Sequence, residues 1–180
     1  MNRLENSRIY MAGAMDRCSD NGAGWRDSIK VQFADLDIVW LDPCRKPTKL
    51  AVESPETKIE LNWAKERCDY PFVAQQMDAI SAVDIRMVTI GDATILNVDL
   101  DIHMCGSYEE FTIANQQMKP IIVHVEQGKN RCPSWIFGRI PHEMIFSHWD
   151  EVGAYLRHIA HAPVIESYNR WFFFDLEEQV

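Results

Sequence analysis

Four short apolar runs, "RIYMAGAM" (8–15), "DIVWLDP" (37–43), "ATILNVD" (93–99) and "KPIIVHV" (119–125), alternate with segments whose apolar residues recur at helical spacing. This alternation limits what the chain can become more than any other feature. Short apolar strands without a polar face must be covered on both sides, and parallel strands need a long crossover, usually a helix. The helical rhythm is carried by Trp25, Ile29, Phe33 and Leu36, then by Val73, Met77, Ile80, Val83 or Asp84, and Met87. It continues in "YEEFTIANQQM" (108–118) and in Trp149, Val152, Leu156 and Ile159. The expected fold is therefore α/β: one doubly wound parallel sheet of about five strands, Rossmann-like or flavodoxin-like, with helices on both faces. A single domain spans 1–180, with a polar helical excursion at about 44–70 and a C-terminal extension at about 126–180.

Charge narrows the partners. The formal net charge is −9 and the longest basic cluster is "RKPTK" (45–49), so no basic surface suited to a nucleic-acid polymer is expected. A small polar ligand remains compatible with an acidic chain. The five cysteines, Cys18, Cys44, Cys68, Cys105 and Cys132, are scattered and make no zinc-type spacing. "HEMIFSH" (142–148) lacks the H-E-x-x-H spacing, and "GAG" (22–24) is not a G-x-G-x-x-G fingerprint because position 27 is Asp. No metal and no cofactor are expected. With no signal-peptide pattern and no run long enough for a membrane span, the expected location is the cytoplasm.

In an open parallel sheet, ligands bind beyond the carboxyl ends of the strands. That rule gathers Tyr10 and Gly13 at the end of the first strand, and Asn97, Asp99, Asp101, Gly106 and Ser107 at the end of "ATILNV". Asp92 stands just before the same strand. "HMCGSYEEF" (103–111) raises a local ambiguity, because Ser107 and Glu110 have the S-x-x-E spacing of a helix capping box. From this stretch alone, either glutamate serves chemistry or the pair simply caps a helix.

Four segments, in order, resemble the nucleoside 2-deoxyribosyltransferase family, which includes related nucleoside 5′-monophosphate N-glycosidases. They are "IYMAGAM", "GAGWRDSIK", "GDATILNVD" and "GSYEEFTIANQQMKPIIV", spanning about 8–125. The last resembles the family pattern G-T-x-x-E-x-G-x-A. Matching Gly106 and Ala114 to it places Glu110, not Glu109, at the family's nucleophilic glutamate. Ser107 stands where threonine is usual, and Thr112 replaces the second glycine, a change expected to reshape the pocket floor. Met104 takes the position at which relatives carry the aspartate or serine that separates nucleosides from nucleotides. The resemblance implies cleavage of an N-glycosidic bond and transfer of the sugar to another base. Water as acceptor, or binding without turnover, are the alternatives.

The resemblance also implies that Asp92 and Tyr10 line the pocket, with Asp92 near the base as proton donor, and Asp99 and Asp101 behind it. Each has a plainer reading: Tyr10 as a core aromatic, Asp92 as a turn residue, Asp99 and Asp101 as solvated loop residues, and Asn97 as a partner for backbone groups. The family's oligomers imply a homo-oligomer here, and the aromatic tail "SYNRWFFFDLEEQV" (167–180) is apolar enough to bury at such an interface.

Overall fold

The computed structural model describes residues 2–15, 17–46, 51 and 53–172. Five strands form one wholly parallel sheet: β1 (Arg8–Gly13), β2 (Val39–Leu41), β3 (Ala93–Val98), β4 (Ile121–Val125) and β5 (Ile145–Phe146), in the order β2-β1-β3-β4-β5. The expected doubly wound α/β fold is the fold observed. Every residue of β3 and β4 is buried, which is why neither run carries a polar alternation. The fifth strand lies in "IF" of the "HEMIFSH" segment, where two residues pair with Val123 and His124. Too short to leave a periodic signal, it is fixed only by its neighbour.

Helix α1 (Ala23–Gln32) and α6 (Trp149–His161) cover one face of the sheet. Helices α3 (Tyr70–Ile90) and α4 (Cys105–Gln116) cover the other, and α2 (Pro55–Glu66) packs on α3. A single turn of helix, α5 (Ser134–Phe137), precedes β5. The excursion expected over 44–70 thus contains α2, capped by Ser54, whose hydroxyl accepts from the Thr57 N–H. Positions 47–50 and 52 of it lie outside the described residues.

Two glycines are demanded by geometry. Gly22, at the start of α1, has a φ of 74°, and a Cβ there would meet the Ala14 carbonyl oxygen at 2.3 Å. At Gly13 a Cβ would lie 2.8 Å from the Trp25 ring, so only glycine lets that indole lie on the sheet. Trp25 in turn stacks on Trp149 with ring centroids 5.5 Å apart, tying α1 to α6. Trp171 is fully buried in its own chain's core, where its indole N–H donates to the Tyr155 hydroxyl at 2.8 Å. Of the tail 167–180 this tryptophan thus belongs to the core of its own chain, and positions 173–180 lie outside the described residues. Among the described residues no helix is long and apolar enough to cross a membrane.

Candidate active site

Strand order reverses between β1 and β3, so the loops that leave their carboxyl ends part and open a crevice. A cavity of about 620 Å³ lies there, closed by α2 and α3 on one side and the start of α4 on the other. That volume is in the range of small-molecule sites.

Its floor is built by strand and helix periodicity. On β1 the Tyr10 side chain projects toward α4, and its hydroxyl donates to Glu110 Oε1 at 2.6 Å. On α4 the buried residues Ser107, Phe111 and Ala114 form one stripe against the sheet, and Glu110 falls within it, one turn from Ser107. Thr112 turns outward, while Glu109, also exposed, lines the rim of the cavity. What sets Glu110 apart from Glu109 is its place in the buried stripe and its hydrogen bond from Tyr10. Thr112 back-bonds to the Tyr108 carbonyl at 2.8 Å on the exposed side, so it does not shape the pocket floor as expected. The capping-box alternative also fails: α4 begins at Cys105 with Met104 as its N-cap, so Ser107 and Glu110 lie inside the helix. No side chain caps that end.

Burial pushes the Glu110 carboxyl up to about 8; the Tyr10 hydrogen bond and the Arg26 charge act against this, and the negative charge of Asp84 adds to it. Burial and the charge of Glu110 hold the Tyr10 phenol well above its ordinary value, so it stays a donor.

Arg26 is fully buried and braces the end of β1. Its guanidinium donates to the carbonyls of Met11, Gly13 and Gly22 and lies 4.6 Å over the Trp25 ring. It is not among the residues that line the cavity.

The second carboxylate of the cavity is Asp84, on α3. It interrupts the inner stripe Val73, Met77, Ile80 and Met87, and an acid in an otherwise apolar stripe was the signal in the sequence that could have found it. Lys46 donates to Asp84 Oδ2 at 3.0 Å and to Glu53 Oε1 at 2.5 Å, while Asp84 Oδ1 is buried without a hydrogen bond. Burial raises the Asp84 carboxyl to about 6, Lys46 offsets part of the rise, and Glu53 adds to it.

The other anticipated residues divide sharply. Gly13, Gly106 and Ser107 line the cavity, and a Cβ at Gly106 would meet nothing within 4 Å, which leaves its mouth open. Asp92 is elsewhere. It accepts from the Arg8 backbone N–H at 2.8 Å and pairs with the Arg8 guanidinium at 2.9 Å. Both residues stand at the amino edge of the sheet, about 20 Å from the carboxyl end at a rise of ~3.3 Å per residue. In a parallel sheet a residue preceding a strand cannot reach a site beyond its end.

Asn97 lies next to Gly13 in register, on the opposite face from Tyr10. It bonds to His124 Nδ1 at 2.7 Å and donates to Glu126 at 2.9 Å, and the His124 ring stacks on Trp149. Asp99 and Asp101 are held away from the cavity by Gln127, which donates to both. Asp99 also closes its own turn by accepting from the Asp101 N–H at 3.0 Å. Met104 is buried in the wall, its sulfur accepting from the Asp99 N–H at 3.3 Å.

Fold and site together define a doubly wound α/β protein whose switch-point cleft carries a tyrosine-held glutamate facing a second carboxylate. Compared with known proteins, the chain matches no family profile and no curated protein. Among solved structures it is similar to a 2-desoxiribosyltransferase from Leishmania mexicana, at 17% identity and a TM-score of 0.43, covering 68% of this chain. The chain spans 66% of that protein's length. It is also similar to the CMP N-glycosidase BcmB of Clostridium botulinum, at 14% identity and a TM-score of 0.46, covering 85% of this chain and 99% of that one.

Proposed function

We propose that the chain cleaves the N-glycosidic bond of a nucleoside or nucleotide and passes the sugar to a second base. Glu110 is the nucleophile and Asp84, in place of Asp92, the proton donor. The observation that carries this reading is the Tyr10–Glu110 hydrogen bond of 2.6 Å at the floor of a cavity that also holds Asp84. A glutamate Oε attacks the anomeric carbon as the bond to the base nitrogen breaks. The bonding pair leaves with the base, and Asp84 supplies the proton that neutralises it. The covalent sugar is released when the nitrogen of a second base attacks from the face the first one left. The sugar–Glu110 bond breaks with its electrons on the carboxylate, Asp84 takes the proton of the attacking nitrogen, and configuration is retained.

The two carboxyls titrate as a pair. Between about 6 and about 8 that pair holds one proton. Burial keeps that proton mainly on Glu110, so turnover draws on the minority form with the proton on Asp84 and the charge on Glu110. The Tyr10 hydroxyl and the Arg26 charge favour that charge on Glu110. The pH profile is therefore bell-shaped.

A second reading, hydrolysis of a nucleoside 5′-monophosphate with water as acceptor, is favoured by Ser107. This residue is 7% exposed, lines the cavity at the uncapped start of α4, and its hydroxyl has no hydrogen-bond partner among the described residues. Uncapped N–H groups and a free hydroxyl suit an anion. The similar solved structures are named for a transferase and an N-glycosidase, but both readings rest on this chain's residues. Assembly into a homo-oligomer belongs to the same proposal, and a light-scattering mass of one 20.9 kDa chain would overturn that part.

The test is base release by chromatography from a panel of nucleosides and 5′-monophosphates, with and without a second free base, beside Glu110→Ala. Release that the variant abolishes is expected, and exchange with the added base marks a transferase. Binding that survives in Glu110→Ala, with no turnover in either protein, would make the site a receptor.

A further inference from the structure

The cavity is longer than a nucleoside requires. One wall is the face of α2 running from Ser54 through Lys58, Leu61 and Asn62 to Lys65, which spans about 16 Å at ~1.5 Å per residue. The carboxylates lie at one end of it, since Lys46 ties Asp84 to Glu53, the neighbour of Ser54. Lys65 lies at the other.

Three cations line this length: Arg17, in the loop after β1, and Lys58 and Lys65 on α2. None of their side chains makes a hydrogen bond or ion pair to any described residue. Arg8, Lys30, Arg45, Lys46 and Arg157 all have carboxylate partners. Arg17 and Lys58 line the same cavity from the loop after β1 and from α2. In a chain of formal charge −9, three cations whose side chains have no partner among the described residues share a cleft whose carboxylates are Glu53, Asp84, Glu109 and Glu110. Ser107 and the uncapped first turn of α4 continue it toward Glu110.

We propose that the cleft takes nucleotides bearing a chain of phosphates, a nucleoside 5′-di- or triphosphate, with Arg17, Lys58 and Lys65 as the groups that grip the phosphates beyond the first. This rests on the reading of Glu110 as the group that opens the glycosidic bond. A single phosphate reaches the start of α4 and no farther than the first cation. Each added phosphate brings negative charge further along α2, where Lys58 and Lys65 are the charged groups of the wall.

The experiment uses the full chain and two readouts. Base release and equilibrium binding by calorimetry are measured for adenosine, cytidine, their 2′-deoxy counterparts and the 5′-mono-, di- and triphosphates of each. The same series is run on Lys58→Gln/Lys65→Gln and on Arg86→Gln/Arg131→Gln, which removes the same charge outside the cleft. Affinity for the preferred base is expected to rise at least tenfold from mono- to triphosphate. That gain should fall below about threefold in the Lys58/Lys65 variant and persist in the Arg86/Arg131 variant. Raising salt should weaken triphosphate binding far more than nucleoside binding.

Equal affinity for nucleoside, mono- and triphosphate would overturn the proposal, as would a gain that both double variants lose alike. Base release at an equal rate from all of them would overturn it too while leaving the glycosidic reading intact. Phosphate-dependent binding without base release from any substrate would sink the catalytic reading and uphold the cleft's preference.

Discussion

Glu110 is held where burial disfavours its charge. Its carboxyl sits at about 8 in the folded chain against an ordinary value of 4.5, because burial penalises its charge. Since the folded-state value is the higher one, the contribution of Glu110 to stability is fully present below about 4.5 and is lost as pH rises through 8. Each pH unit of that interval is worth about 1.36 kcal/mol, which sets a ceiling of roughly 5 kcal/mol. The charge of Asp84 is part of the cause, and relaxation around the ionised group returns some of the cost. A loss of about 2–4 kcal/mol between pH 5 and pH 8.5 is expected.

Glu110→Gln removes the ionisation and keeps an oxygen to accept from Tyr10. Urea unfolding of both proteins at the two pH values measures the effect. At pH 5 the two should agree within about 1 kcal/mol, and at pH 8.5 the variant should be the more stable by about 2–4 kcal/mol while losing base release. A stability difference that does not change with pH, or one that favours the parent chain at pH 8.5, would refute the burial argument.

Tyr10→Phe removes the one donor to Glu110, worth about 1.5–3 kcal/mol to a charged acceptor. At pH 7, kcat/KM should fall about tenfold to a hundredfold, with the limb set by Glu110 moving to higher pH in a pH–rate profile. Asp84→Asn should lower base release at least about a hundredfold. Asp92→Asn should leave it within about threefold, and cost under ~1 kcal/mol in thermal unfolding because its pair with Arg8 is largely exposed. Gly13→Ala places a Cβ 2.8 Å from the Trp25 ring and should cost about 1–3 kcal/mol in a denaturant titration, through displacement of that indole from Trp149.

The alternation of apolar runs and helical rhythms determined the α/β class, the parallel sheet and the switch-point crevice by itself, because strands buried on both faces leave few other arrangements. The choice of Glu110 over Glu109 was also within reach of the sequence, since Ser107, Phe111 and Ala114 define a single helical stripe that includes only Glu110. The second carboxylate left only the trace of one acid in an apolar helical stripe, and position along the chain pointed to Asp92 instead. Asp92 matched by its place in the chain, yet a residue ahead of a parallel strand is fixed at the far edge of the sheet, where Arg8 claims it.

Asp84, buried in the stripe of a helix that reads as core, becomes a site residue only because α3 crosses the mouth of the crevice beside α4. Asn97 likewise stands at the correct height but on the wrong face, which register and not composition decides. Local spacing determines which side of a helix or strand a residue takes. Which sides meet is settled by long-range packing, and there the cleft acquired its acid, its cations and its length.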